Sequence, residues 1–393
     1  MSSLFPNYAR FPITLVKGKG SRLWDDQGKE YLDFMTGIAV TGLGHVPERV
    51  RDALVSQLDQ LWHVSNLFQI PNQEKAARLL TDISCADAVF FCNSGAEANE
   101  AAIKLARRYH QKVLGNGRYE IVTFTQSFHG RTLATLTATG QDKVKEGFLP
   151  LPPGFVHAPL NDLAAVEAAI TDKTAAIMLE TIQAEGGVHI ADPAFVTGLR
   201  ELCDRHGLLL IFDEIQTGMG RTGKMFSYEH YGVEPDIFTL AKGIGSGFPV
   251  GAMLAKAPLI PAFSAGSHGS TFGGTPIAAA AVVATIETLL QERAPQRAAE
   301  SGALLAGKLK EALGGLPNVV DVRGRGLLVG IECAGPVAGI VAELQRRGLL
   351  VITAGPNVLR LLPNLLVTAE EIEEAVAKIA AVLTEQAAAA SPH

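Results

Sequence analysis

Short apolar runs recur between residues 84 and 275, and each is about as long as one buried strand. Amphipathic stretches such as Glu97 to His110 and Pro193 to His206 separate several of these runs. Continuous apolar strands that alternate with helices are typical of a mostly parallel sheet covered on both faces. We therefore predict an α/β fold whose central strands are Ala88–Cys92, Glu120–Phe124, Ala175–Leu179, Leu208–Phe212 and Asp236–Leu240.

The two ends of the chain have a different pattern. Ser21–Phe34 alternates around an Asp-Asp-Gln-Gly turn, which predicts a hairpin. A long helical stretch follows Ile277, and the last helix begins with the capping pair Thr368 and Glu371. At this length two domains are expected, and we predict a large domain of residues 48–276 and a smaller α+β domain built from residues 1–47 and 277–393.

Composition argues against several classes of function. The chain has 34 Lys and Arg against 40 Asp and Glu and no basic block, so we expect no nucleic-acid partner. Its four cysteines lack the spacing of a disulfide framework or a metal site, which predicts a reduced, cytoplasmic compartment and no metal. Because the sequence has neither the apolar core of a signal peptide nor an 18-residue apolar run, we expect no membrane association.

Polar residues come directly after the predicted strands, at the edge of the sheet where α/β proteins bind ligands. Lys242 follows the fifth strand and precedes Gly243, Gly245 and Gly247, which leave room for a flat cofactor. A desolvated lysine there could attack an aldehyde, although a solvated loop lysine is the simpler interpretation of this residue alone. Asp213 follows the fourth strand and could pair with a pyridinium nitrogen, or it could serve as a helix cap or in a structural ion pair.

Two further segments could bind a phosphate group. Ser94, Gly95 and Ala96 lie between a strand and a helix, where free backbone N–H groups attract anions, but an ordinary capping turn has the same composition. Ser270 and Thr271 lie in the polar, glycine-rich loop HGSTFGG, which is suited to a phosphate or substrate contact. Neither segment is specific when taken alone.

Phe128 and Arg131 follow the second strand, where an aromatic ring can stack on a cofactor and an arginine can clamp a carboxylate. By contrast, Gly218, Gly220 and Gly223 form a G-x-G-x-x-G pattern that is poorly placed for a dinucleotide. It begins six residues after the apolar run and opens no clear helix, and no acidic residue closes a second strand about 20 positions on. The chain also lacks G-x-S-x-G, Walker A and H-E-x-x-H motifs.

Several long segments, in order along nearly the whole chain, resemble the class III aminotransferases, a family of fold-type I pyridoxal-phosphate enzymes. Each segment is a weak signal alone, but together they are highly specific. They are GIAVTGLGH (37–45), FCNSGAEANEAAIKLAR (91–107), SFHGRTLATLTATGQ (127–141), LLIFDEIQTGMGRTGK (209–224), PDIFTLAKGIGSGFPVGAML (235–254) and HGSTFGGTP (268–276).

The resemblance implies a role for each candidate residue. Lys242 would be the Schiff-base lysine, Asp213 the partner of the ring nitrogen, Gln216 the contact of the ring oxygen and Phe128 the residue stacked on the ring. Gly95 and Ala96 would bind the phosphate together with Thr271 of the neighbouring subunit, which implies a homodimer. Arg131 would bind the substrate α-carboxylate, with Ser270 nearby.

The family usually has a glycine at the position of Ala184 in ETIQAEGG. Glu185 and Arg360 match a pair that acts in related enzymes as a gate for a second carboxylate. Within the family the resemblance favours N2-acetyl-L-ornithine as amine donor and 2-oxoglutarate as acceptor, a step of arginine biosynthesis. Succinylornithine, ornithine, 4-aminobutyrate and carrier-linked lysine are alternative donors. A non-catalytic relative and a nicotinamide-dependent oxidoreductase are alternatives from other classes.

Overall fold

A computed structural model describes residues 3–390. Its strands are β1 (Leu15–Lys19), β2 (Arg22–Asp25), β3 (Glu30–Asp33), β4 (Ala88–Cys92), β5 (Glu120–Phe124), β6 (Phe155–Ala158), β7 (Thr174–Leu179), β8 (Ile182–Gln183), β9 (His189–Ile190), β10 (Leu209–Asp213), β11 (Ile237–Leu240), β12 (Gly251–Ala255), β13 (Val319–Arg325), β14 (Leu328–Cys333), β15 (Leu349–Leu350), β16 (Ile352–Ala354) and β17 (Val358–Leu361). Its helices are α1 (Thr36–Ala39), α2 (Glu48–Leu58), α3 (Pro71–Asp82), α4 (Gly95–Arg108), α5 (Leu133–Ala138), α6 (Leu163–Ala169), α7 (Pro193–His206), α8 (Pro276–Gln291), α9 (Ala294–Leu313), α10 (Ala338–Arg346) and α11 (Ala369–Ala390).

A seven-stranded sheet forms the centre of the molecule, in the order β4-β12-β11-β10-β7-β5-β6. Neighbouring strands are parallel except at β12, which is antiparallel to both β4 and β11. Strands β7, β10 and β11 are buried along their whole length, as expected for strands covered on both faces. The predicted α/β fold is confirmed, and the five predicted strands lie within one residue of their expected bounds.

The sequence analysis omitted two strands of this sheet. Strand β6 is mostly half-buried at the edge and contains His157, so it lacks the continuous apolar run of a central strand. Strand β12 is fully buried but begins at a glycine close to the preceding glycine-rich turn. Both omissions follow from composition, because β-branched and aromatic residues mark a strand more clearly than glycine and alanine do.

Both chain ends contribute to the flanking sheets. The predicted hairpin is confirmed as β2 and β3, and β15 from the C-terminal part joins β3 in parallel. A second sheet, β13-β14-β17-β16, carries Arg360 on β17. The boundaries proposed at residues 47/48 and 276/277 stay a prediction, since α8 beyond the second boundary packs on α2 and α3. Among residues 3–390, no helix is both long and apolar enough to cross a membrane.

Strained backbone lies at the carboxyl edge of the central sheet. All four residues of α1 have positive φ, so this element is a single left-handed turn rather than an ordinary helix. Asp33 Oδ1 accepts hydrogen bonds from the N–H groups of Met35 and Thr36 at its start. The turn packs on the segment that begins with Lys242, whose own φ is 46°. Such strain persists only where the surroundings impose it, and here it brings Val40 to the edge of a cavity.

Candidate active site

A cavity of about 440 Å³ opens at the carboxyl edge of the central sheet. The segments that follow β4, β5, β7, β10 and β11 all reach it, together with the start of β12. Its lining includes Val40, Asn93, Ser94, Gly95, Ala96, Phe128, His129, Gly130, Arg131, Glu180, Asp213, Ile215, Gln216, Lys242 and Val250. The structure therefore brings together seven of the eleven site residues expected from the sequence.

Lys242 lies on the cavity wall, and its amine has no hydrogen bond or ion pair with any residue between 3 and 390. Desolvation lowers the pKa of Lys242, although the nearby charge of Glu185 partly opposes this shift. A neutral amine is the form that attacks a carbonyl carbon, so this environment suits a nucleophile. A Cβ on Gly245 would lie 2.6 Å from Val250 Cγ1, which explains the glycine next to the lysine turn.

Asp213 ends β10 with its side chain almost fully buried. Asn99 Nδ2 donates to its Oδ2 at 2.8 Å, the Ile215 N–H donates to its Oδ1 at 3.0 Å, and His129 Nδ1 lies 2.9 Å from Oδ2. Donors on both oxygens orient the Asp213 side chain as an acceptor, and a protonated ring nitrogen would be a further donor to it.

The sequence analysis did not single out Asn99 or His129. Asn99 is fully buried on α4 among alanines and leucines, and Thr239 Oγ1 donates to its Oδ1 at 2.8 Å. A polar residue on the apolar face of an amphipathic helix was the available signal. His129 is as deeply buried, and its Nε2 has no partner among the described residues. Together these side chains fix the orientation of the Asp213 carboxylate.

Glu185, Gln216 and Arg360 form one network beside the cavity. Arg360 is fully buried on β17 and donates to both oxygens of Glu185, at 2.7 and 3.1 Å, and to Gln216 Oε1 at 3.0 Å. Gln216 Nε2 in turn donates to Glu185 at 3.2 Å. Burial opposes the ionisation of Glu185, but the charge and hydrogen bonds of Arg360 outweigh it and lower the pKa of Glu185. Ala184 is buried and has no positive φ, so alanine fits where the family has glycine.

The N-terminus of α4 points two free amides at the cavity. Ser94 caps the helix by accepting from the Glu97 N–H. The N–H groups of Gly95 and Ala96 donate to no acceptor in residues 3–390. A Cβ on Gly95 would lie 2.8 Å from Ile215 Cδ1, so a larger residue here would require the Ile215 side chain to move. Free amides at the start of a 14-residue helix can hold a phosphate group.

Phe128 and Arg131 lie on the loop after β5, and both line the cavity. The Arg131 guanidinium is 5.8 Å from the centre of the Phe128 ring and has no anionic partner among the described residues. The Phe128 N–H donates to Glu180 Oε2 at 3.0 Å. Glu180 directly follows β7 and is almost fully buried, and the sequence analysis gave it no role. Arg131 is therefore available to bind a carboxylate that enters the cavity.

Ser270 and Thr271 lie apart from the other expected site residues. Ser270 Oγ accepts from Asn93 Nδ2 at 3.1 Å, and Asn93 lines the cavity. Thr271 is exposed and is not part of the lining. Its expected role toward a neighbouring subunit stays a prediction.

The glycine pattern from Gly218 to Gly223 packs against protein backbone. The fully buried Arg221 donates to the carbonyl oxygens of Leu327 and Pro363, and its own carbonyl accepts from the Leu327 N–H at 2.9 Å. A Cβ on Gly326 would lie 2.4 Å from the Thr222 carbonyl carbon, so two loops meet closely here. The motif thus joins the loop after β10 to the turn between β13 and β14.

An unpaired lysine amine, an oriented carboxylate, two free helix amides and an aromatic ring around one cavity fit pyridoxal 5′-phosphate. The Lys242 amine suits the aldehyde, Asp213 the ring nitrogen, and the α4 N-terminus the phosphate. No group of three or more potential metal ligands occurs in residues 3–390. Fold and site together define a pyridoxal-phosphate-dependent transferase of fold type I.

The chain belongs to the class-III aminotransferase family, whose model matches residues 4–383. It is 56% identical over 385 residues to an acetylornithine aminotransferase of Halalkalibacterium halodurans, covering 98% of this chain and 99% of the relative. An ornithine aminotransferase structure from Toxoplasma gondii, described with pyridoxal phosphate at its active site, superposes with a TM-score of 0.94 at 34% identity, covering 98% and 94% of the two chains. An N-acetylornithine aminotransferase structure from Stenotrophomonas maltophilia superposes with a TM-score of 0.84 at 37% identity, covering 97% and 98%. Membership of this family makes the chain a pyridoxal-phosphate-dependent aminotransferase.

Proposed function

We propose that this chain transfers the terminal amine of N2-acetyl-L-ornithine to 2-oxoglutarate, forming N-acetyl-L-glutamate 5-semialdehyde and L-glutamate. The observation that carries the proposal is the unpaired Lys242 amine in a cavity that also holds Asp213 and Arg131. The acetylornithine aminotransferases at 50% identity and above support the choice of amine donor. The reaction belongs to arginine biosynthesis.

Lys242 has two tasks in this reaction. Its amine would first hold the cofactor covalently and would be released when the substrate amine takes its place. As a neutral base, the form that its lowered pKa favours, it would then take a proton from the substrate carbon and return it to the bound cofactor. When bound, the cofactor supplies an electron sink that stabilises the negative charge left by this proton. Asp213 would maintain that sink by accepting a hydrogen bond from the ring nitrogen.

Arg131 and Arg360 would bind different carboxylates of the two substrates. Arg131 has no anionic partner among the described residues, so it can bind a carboxylate of either substrate without breaking an ion pair. Arg360 is already paired with Glu185, and that neutral pair does not attract the acetylated end of the amine donor. A substrate with two carboxylates, such as 2-oxoglutarate, would need Glu185 to release Arg360.

We also propose a homodimer in which Thr271 completes the phosphate site of the partner subunit. Large apolar side chains are exposed around the loop that carries Thr271, including Trp62, Leu67, Phe68 and Phe272. Asn66 Nδ2 ties the segment of these residues to the loop by donating to the Ser270 and Gly273 carbonyls. Exposed apolar patches mark protein interfaces. The four free cysteines support a cytoplasmic location.

The decisive experiment is Lys242→Ala, with Lys256→Ala as the matched control. Lys256 is a partly exposed lysine paired with Glu234, and its N–H donates to the Asp236 carbonyl at the opposite end of β11 from Lys242. We expect Lys242→Ala to lose the visible absorption band of the bound cofactor and nearly all turnover, while the control keeps both. A Lys242→Ala protein with normal absorbance would contradict the assignment, and a colourless wild-type protein would favour a nicotinamide enzyme.

The amine donor is tested separately on the wild-type enzyme. We expect kcat/KM for N2-acetylornithine to exceed the values for succinylornithine, ornithine, 4-aminobutyrate and a carrier-linked lysine. A higher value for any of these amines would move the proposal to that donor. It would leave the roles of Lys242 and Asp213 unchanged.

A further inference from the structure

Three carboxyl groups lie at or beside the active-site cavity, and they differ in the donors that surround them. Asp213 has the donors Asn99 and Ile215, with a His129 ring nitrogen also at its Oδ2. Glu185 accepts two hydrogen bonds from Arg360 and one from Gln216. Glu180 accepts a single hydrogen bond, from the Phe128 N–H, and has no cationic partner among residues 3–390. Of these three carboxyl groups, Glu180 is the one that lacks the several donors that stabilise a buried carboxylate.

Charges around Glu180 also favour a neutral group. Its side chain is 6% exposed, at the end of the fully buried strand β7. Burial, followed by the negative charge of Asp213, raises the pKa of Glu180 well above its ordinary value, and Glu185 adds to this shift. The hydrogen bond from the Phe128 N–H and the charge of Lys242 oppose the shift without cancelling it. When carboxyl groups share one site and cannot all ionise, the proton goes to the group with the fewest donors.

Glu180 also holds the loop that carries Phe128. Other amides of this loop have partners in the protein: the Gln126 N–H donates to the Gly140 carbonyl, and the His129 N–H donates to Thr139 Oγ1. The Phe128 N–H, between them, donates to Glu180 Oε2 alone. Removing the Glu180 side chain would therefore free the backbone next to the ring that faces the cofactor.

We propose that Glu180 is a positioning residue that keeps its proton during transamination, anchors Phe128 through its Oε2 atom and directs its protonated oxygen toward the cavity. This proposal rests on the proposed function only for the stacking of Phe128 on the cofactor. Glu180 acts through Phe128, and a neutral amide of the same shape can replace it.

The test compares Glu180→Gln with Glu180→Ala. Glutamine keeps the acceptor for the Phe128 N–H and carries no charge, so cofactor affinity of the apoenzyme and kcat should stay within about threefold of wild type. Alanine removes the acceptor, and titration of the apoenzyme with pyridoxal phosphate should show about tenfold weaker binding. Glu185→Gln is the contrasting variant, because that carboxylate is ion-paired, and it should alter substrate binding rather than cofactor affinity.

Two measurements separate a protonated Glu180 from a merely structural one. The infrared difference spectrum between the wild-type and Glu180→Gln apoenzymes should contain the carbonyl stretch of one neutral buried carboxyl group. A difference spectrum is needed because burial also raises the pKa of Glu214, to about 7. The neutral form is present below the raised pKa of Glu180, so cofactor affinity and kcat of the wild type should fall as alkaline pH ionises it beside Asp213, Glu185 and Lys242. The Glu180→Gln variant should lack this alkaline loss.

A folded Glu180→Gln protein with kcat reduced about 100-fold would overturn the proposal, because it would show that the negative charge is needed. A difference spectrum that lacks this band would also overturn it, and so would wild-type cofactor affinity in Glu180→Ala. If Glu180→Ala does not fold, the kcat and the infrared spectrum of Glu180→Gln decide whether the proposal holds. Failure of the proposed function is distinct, since the wild type would then bind cofactor but not turn over N2-acetylornithine.

Discussion

Glu185→Gln should strengthen the binding of dicarboxylates, because Glu185 forms an ion pair with the Arg360 guanidinium, to which a second carboxylate would bind. Arg360 is fully buried, and Glu185 meets it at 2.7 and 3.1 Å with a side chain that is 27% exposed. Two charges about 4 Å apart attract by ~4 kcal/mol at an effective dielectric constant of ~20. Hydration of the released carboxylate offsets most of this, and a remainder of about 1.4 kcal/mol corresponds to a tenfold change in affinity.

The assay is competitive inhibition by glutarate, a dicarboxylate that cannot react. We expect its inhibition constant and the KM for 2-oxoglutarate to fall about tenfold in Glu185→Gln, with the KM for N2-acetylornithine little changed. Glu201→Gln, which alters an exposed carboxylate on α7, is the matched control. Because the pair is half-buried, added salt should reduce the difference only partly. Equal or weaker glutarate binding in Glu185→Gln would refute the competition between the two carboxylates.

Two other predictions concern the ring nitrogen and the subunit interface. Asp213→Asn keeps the size of the side chain but removes its charge. We expect kcat, measured by stopped-flow absorbance, to fall at least about 100-fold while the cofactor stays bound. A wild-type rate in this variant would exclude Asp213 as the partner of the ring nitrogen. Thr271→Arg should block the phosphate site of the partner subunit. Equal mixing with Lys242→Ala subunits should restore roughly a quarter of wild-type activity, because about half of the dimers are then hybrids and each hybrid has one intact site. No recovery on mixing, with hybrid dimers present, would show that Thr271 acts within its own subunit or not at all.

The central sheet was predictable because its parallel strands are buried on both faces and leave long apolar runs. Strand β7 is buried at all six positions, and its sequence alone marks it as a strand. Strand β12 was missed since GAMLA contains no β-branched residue and reverses direction within an otherwise parallel sheet. The left-handed turn at Thr36–Ala39 was also invisible, because only Gly37 there is a residue that ordinarily adopts positive φ.

Site residues were predictable where a strand end carries an unusual side chain. Lys242 and Asp213 both meet this condition, and the cavity brings them together. The hydrogen-bond partners of the site residues were not predictable, because they depend on which side chains meet in space. Asn99 reaches Asp213 from 114 residues away, and Glu180 reaches the Phe128 amide from 52 residues away. Local sequence patterns carry no information on such pairings.

The relative position of the two arginines that we propose bind the substrates depends on a contact between separate sheets. Arg131 follows β5 of the central sheet, whereas Arg360 lies on β17 of a flanking sheet. Arg221 bridges them, because its loop follows β10 and its guanidinium donates to the carbonyls of Leu327 and Pro363, the latter three residues after Arg360. A buried guanidinium held by carbonyl groups permits little movement of the flanking sheet relative to the central sheet, since each lost hydrogen bond would leave a buried donor unpaired. The glycine pattern around Arg221 therefore helps to determine where Arg360 lies relative to Arg131.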